Sequence, residues 1–295
     1  MVTTAGRPPK TEVPRTGVIA LSMANRSWLG RLVGWLAGRS SADLFAMFLA
    51  WFAVWSAAAY LLLDSVIGGK GERDLGIVAG SLTGALGALF AVLTAFVITT
   101  EWGYHREAER TVGMEADACV RLAWISNSPG CEGAVIRRDL AAYLDSVLNE
   151  EWPALSDGAE CEATHDRMSE LQYRVRGIAA QPDVPASVAD DLTTAADAIA
   201  ITRSERLSAA ARDLPTPLFL LAFLSGVLLA LNAIVLGLHL GHAYSLAIAG
   251  LVVLIPADLA LLLAIAMPFS GDVRVEGHSL VRVLHNLTSR RYGPV

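Results

Sequence analysis

Long runs without a single charged side chain constrain this chain more than any other feature. Leu44 to Leu63 and Leu75 to Thr100 contain no Asp, Glu, Lys or Arg, and neither does Leu214 to Ala257. A hydrocarbon core about 30 Å thick needs roughly 20 apolar residues in a helix rising about 1.5 Å per residue. The first two runs are each long enough for one crossing and the third for two. The apolar residues are concentrated in these runs rather than spread through one soluble core. The expected fold is an all-α integral membrane protein, with four transmembrane helices in two hairpins and a cytoplasmic helical domain inserted between the second and third.

The segments follow from that frame. Residues 1–40 read as a disordered or amphipathic N-terminal segment, with Pro8, Pro9 and Pro14 among polar residues and Met23 as an alternative start. Lys10 and Arg15 before the short apolar run Val18 to Ala24 imitate a signal peptide, but that run is at the short limit. Trp28, Leu29, Leu32, Trp35 and Leu36, among Arg26, Arg31 and Arg39, suit an amphipathic helix at headgroup level. Residues 41–100 hold the first two spans and 214–270 the last two, with the outer turn near His239 to Tyr244. Residues 271–295 read as an amphipathic, polar C-terminal tail on the cytoplasmic side.

Residues 101–213 form the charged, helix-rich insertion. Val112, Ala116, Val120 and Ala123 mark one apolar stripe, which can continue the second span. Further stripes run through Ile136, Leu140, Leu144 and Val147, through Met168, Leu171, Val175 and Ile178, and through Val188, Leu192, Ala195 and Ile199. Ser128-Pro129-Gly130, Pro153, Asp157-Gly158 and Gln181 to Pro185 punctuate them.

An even number of crossings puts both termini and the insertion on one side. Six basic residues from Arg7 to Arg39 and four in the C-terminal tail share that side, against only Lys70 and Arg73 in the opposite turns. The positive-inside rule makes the richer side cytoplasmic. The expected location is the inner (plasma) membrane, multi-pass, with cytoplasmic N- and C-termini.

Small residues predict close helix contacts in lipid. Gly76, Gly80, Gly84 and Gly87 recur along the second span, and Ala46, Ala50, Ala53 and Ala57 line the first, each a face fit to meet the other or a neighbouring subunit. Away from the glycines, Leu82, Leu86 and Phe90 could form an apolar constriction if this helix lines a pore. Asp258 falls roughly 18 Å deep in the last span, two residues after Pro256, at a depth where Ser225 could hydrogen-bond its protonated form. A structural acid is the preferred reading there, with a proton-coupled carrier the other.

The remaining chemistry is sparse. A net charge of −6 gives no basic stripe for nucleic acid. Cys119, Cys131 and Cys161 are odd in number and lack a CxxC pattern, so they read as reduced thiols. Cys161, Glu162, His165 and Asp166 share one turn, but no second ligand pair completes a metal set. No GxSxG, Walker, HExxH or DFG pattern occurs. No enzymatic activity, metal or cofactor is expected.

Three stretches resemble one family. Tyr104, Arg106, Val112 and Glu115-Ala116 follow the second span. Tyr143 precedes Glu151-Trp152-Pro153, and Pro268-Phe269-Ser270-Gly271 with Val273 and Val275 closes the last span. Together they are similar to the bacterial bestrophin-like membrane proteins over about residues 44 to 285. The approach to Pro268 differs: Ala264-Ile265-Ala266-Met267 stands where the family often has a Leu-Asp-Arg type sequence, and Asp258 does not replace that acid by spacing.

The resemblance implies an oligomeric anion channel, typically a pentamer, whose second span lines the pore. Leu82, Leu86 and Phe90 are then the nearest match to an aliphatic and aromatic neck. The expected partners are the lipid bilayer, further copies of the chain and small inorganic ions. The competing expectation is a membrane-anchored scaffold or sensor whose helical domain binds a partner.

Overall fold

The computed structural model describes residues 39–67, 72–155, 160–212, 216–240, 245–266, 268–289 and 291–293. The expected N-terminal amphipathic helix lies outside them, as do residues 68–71 and 241–244, where turns are expected. All regular elements among the described residues are helical. Among the described residues, four helices are long and apolar enough to cross a membrane. These are α1 (Ser41–Ile67), α2 (Glu72–Ile125), α7 (Thr216–Leu240) and α8 (Ser245–Ile265).

The apolar helices pack by their bulky stripes. Leu44, Phe48 and Phe52 of α1 share a buried cluster with Phe90 and Val97 of α2, Phe219 and Leu229 of α7, and Ile255, Leu259 and Leu263 of α8. Phe52 and Phe223 meet edge to face, with centroids 6.1 Å apart. About half of the α7 and α8 windows is buried, against 17% for α1 and α2. The last two spans therefore form the centre and the first two flank it.

The first two apolar helices do not form a packed pair. α1 packs on α8 and α7, and α2 packs on α7 and α8. Ala46, Ala50, Ala53 and Ala57 all face outward. Aromatic and leucine side chains offer more contact area than alanines, so they take the interior face. The smooth alanine face is left for lipid or another chain.

α2 runs unbroken for 54 residues, from the membrane into the helical domain. There it joins α3 (Gly133–Ser146), a π-helical turn (Val147–Glu151) leading into the short α4 (Trp152–Leu155), α5 (Glu162–Ala179) and α6 (Ala186–Ala210). The expected stripes are its core: Val112, Ala116 and Ala123 on α2, Ile136, Leu140 and Leu144 on α3, Met168, Leu171, Val175 and Ile178 on α5, and Leu192, Ala195 and Ile199 on α6.

The C-terminal segment belongs to the same core. Residues expected as a tail form α9 (His278–Thr288), which packs on α2 and α3. Its Leu280, Val283 and Leu287, spaced by three and four, are buried. After α8, Asp272 accepts hydrogen bonds from the Ser41 backbone N–H at 2.8 Å and hydroxyl at 2.7 Å. These bonds hold the start of α1 beside the end of α8, at one membrane face. They also hold the Asp272 carboxyl below its usual range.

Candidate functional site

The site is assembled on α6, whose buried stripe does not stop at Ile199. It continues at Arg203 and Arg206, which are 5% and 0% exposed. Two guanidinium groups inside a helical core demand counter-charges. Glu115 and Glu151 supply them, both 0% exposed.

Glu115, on the domain half of α2, receives Arg206 Nε at 2.7 Å on Oε2 and Nη2 at 3.1 Å on Oε1. The Tyr143 hydroxyl on α3 donates to the same carboxylate at 2.6 Å. Glu151, at the end of the π-helical turn, accepts Arg206 Nη2 at 2.8 Å. It also accepts Arg203 through Nε at 3.1 Å and through Nη2. Arg203 reaches outward to Glu160 at 3.3 Å. Burial opposes the Arg206 cation, but the charge and hydrogen bonds of Glu115 outweigh it, so its pKa stands above the ordinary arginine value. Burial first, and then the Glu115 charge, push the Tyr143 phenol well above 10.0.

Local structure sets each partner. Pro153 has no N–H to continue the ladder from α3, and the wide turn just before it carries Glu151 into the core. Trp152 follows, with the Arg206 guanidinium over its ring at 5.5 Å. That ring meets Phe269 edge-on, with centroids 5.9 Å apart. Phe269 is seated by the turn after α8, where Val275 N–H donates to the Pro268 carbonyl at 2.6 Å. Gly271 adopts φ of 74°, a left-handed conformation natural to glycine. The three resembling stretches, far apart in sequence, thus meet around one arginine pair. Ala116, beside Glu115, packs in the adjoining apolar core.

Spacing alone shows why the arginines go unnoticed. The apolar series Leu192, Ala195 and Ile199 reads as ended once charges begin. Extending it by four and then three gives Arg203 and Arg206. A buried-stripe position occupied by arginine is itself the signal, because it requires carboxylates opposite.

In the membrane half, the structure separates residues that spacing had grouped. Steps of four drift by about 40° each on a helix of about 3.6 residues per turn. Leu82 is accordingly exposed and Leu86 half-buried, while Phe90 is buried at 7% exposure. Phe90 lies against Gly226 of α7, inside the chain's own bundle. Among the glycines, Gly76 is buried and Gly80 is near Leu236, but Gly84 and Gly87 have no side-chain neighbour in reach of a Cβ. Ser225 does not bond Asp258. Its hydroxyl donates to the Ala222 carbonyl at 2.8 Å, the local bond a helical serine can always make. One hydrogen bond between apolar helices is unforeseen: Asn232 Nδ2 on α7 donates to Thr83 Oγ1 on α2 at 2.9 Å.

His165 pairs with Glu160 at 3.0 Å, on the exposed side of α5. His242 and the side chain of His239 are outside the described set.

A helical domain built onto one continuous apolar helix, beside three further helices long and apolar enough to cross a membrane, defines an all-helical class of membrane protein. The chain belongs to the bestrophin-like family: the model of the Bestrophin-like domain matches residues 50–280. No curated protein and no solved structure matches it.

Proposed function

We propose that this protein is a homo-oligomeric ion channel or leak pathway of the plasma membrane, selective for anions by analogy with its family, and lined by α2. The observation that carries the reading is the continuity of α2. One 54-residue helix presents its membrane half on the outside of the bundle and locks its other half into the domain through Glu115. A pore wall supplied by α2 would be mechanically joined to the domain without a hinge.

The surface left open on α2 supports the assembly. Ile77, Val78, Leu82, Leu89, Val92 and Phe96 are exposed in the single chain, as are Gly80 and Gly84. In this reading copies meet along α1 and α2, Leu82 faces the lumen, Leu86 backs it, and Phe90 holds α2 to α7. The helical domains would form a vestibule on the cytoplasmic side.

The test is halide and cation flux from liposomes containing the purified protein. Flux above protein-free liposomes supports the proposal. No flux, from a preparation that is monomeric in the membrane, counts against it and favours the scaffold.

A further inference from the structure

Glu101 is the first charged residue after the apolar run of α2. It is only 3% exposed, and its Oε1 is closed off from solvent with no hydrogen-bond partner. A carboxylate held this way calls for a donor. Glu101 lines a cavity of about 410 Å³ between α2, the end of α6 and the turn after α8. Ser204, Ser208 and Arg212 line it too, and the Arg212 guanidinium rests on the Tyr104 ring.

The cavity sits where the chain enters the membrane. Trp102 and Tyr104, flanking Glu101, are 47% and 42% exposed, as aromatic residues are at a headgroup boundary. Arg212 is four residues before α7 begins at Thr216. Glu107, Glu205 and Arg110 also line the cavity, but Glu101 is its buried carboxylate, and no hydrogen bond or ion pair joins it to Arg212 among the described residues. A bare divalent cation is a poor fit: Glu107 is engaged by Arg110 at 3.7 Å, and Arg212 would repel the ion. A quaternary ammonium has no N–H to give Glu101.

We propose that this cavity binds a phosphoethanolamine group, its primary ammonium donating to Glu101 and its phosphate taken by Arg212 with the hydroxyls of Ser204 and Ser208. The chemistry is shared by a phosphatidylethanolamine headgroup and by a soluble phosphoethanolamine. The cavity's place beside Trp102 and Tyr104, at the end of the apolar run of α2, favours the lipid. The inference does not depend on conduction.

The test uses delipidated full-length protein in detergent, with bound lipid counted by native mass spectrometry and thermal stability followed alongside. The probes are phosphatidylethanolamine, phosphatidylcholine with the same acyl chains, soluble O-phosphoethanolamine and calcium chloride. Phosphatidylethanolamine should bind about tenfold or more tightly than phosphatidylcholine, the scale of one charge-assisted hydrogen bond. Glu101→Gln should erase that preference, and Arg212→Gln should weaken both lipids. Glu101→Asp, which keeps the charge, should retain part of the preference and so separates recognition from folding. Displacement of the lipid by O-phosphoethanolamine at similar concentration assigns a soluble ligand of the same chemistry, and its failure to compete assigns the lipid. Equal binding of the two lipids, an undiminished preference in Glu101→Gln, or Glu101-dependent stabilisation by calcium alone would overturn the proposal.

Discussion

Methionine at position 206 would remove the cation that Glu115 and Glu151 share, leaving Glu115 with the Tyr143 hydroxyl as its remaining donor. Breaking a buried ion pair from one side costs about 3–5 kcal/mol, so Arg206→Met should lower the unfolding free energy of the purified protein by that amount. A loss below about 1 kcal/mol would show that water already reaches the cluster. Tyr143→Phe removes one hydrogen bond to a charged group and should cost about 1.5–3 kcal/mol. The tyrosine also gives a pH signature. Its pKa is raised in the folded chain, so its contribution is complete below 10.0, the ordinary tyrosine value. Above that pH the unfolded chain ionises while the folded one does not, and stability falls. Unfolding of Tyr143→Phe measured from neutral to alkaline pH should show a shallower alkaline decline than the parent. An identical decline would remove Tyr143 from the account.

Helix faces carry the next set of consequences. A Cβ on Gly226 would meet Ile255 Cγ2 at 2.8 Å and Phe90 at 3.1 Å. Gly226→Ala must therefore push α7 away from α8 and α2, and should cost about 1–3 kcal/mol despite alanine's better helix propensity. Thermal unfolding in detergent checks it; a stabilised variant would mean that α7 sits more loosely than its contacts indicate. Gly84 is the opposite case, with nothing near its missing side chain. Gly84→Leu should leave the stability of a single chain within about 0.5 kcal/mol and reduce the mass of the assembly in membranes. Retention of the full assembly would place the interface elsewhere. The four apolar helices were legible because a helix crosses lipid only as a long run with few charges, and the domain helices because their stripes keep helical period. The row Leu82, Leu86 and Phe90 runs from exposed to buried because each step of four turns about 40° on the helix, a drift that spacing alone does not display. Glu115 and Glu151 were legible as motif positions, but Arg203 and Arg206 were not, since a buried charge is recognised only with its partner in view.

On the scale of the whole molecule, the continuous α2 makes the membrane bundle and the domain one body. The Glu115–Arg206 pair ties α2 to α6, and the Trp152–Phe269 contact ties the domain to the end of α8. A domain held at both points would transmit a change at its surface to the wall of the proposed pore. The most direct test is the arrangement of copies in a lipid bilayer, determined by electron microscopy of the full-length protein in nanodiscs. The account predicts a closed ring in which α2 is the helix nearest the symmetry axis and Leu82 faces the lumen. A single copy, or a ring with α1 or α8 nearest the axis, would contradict it.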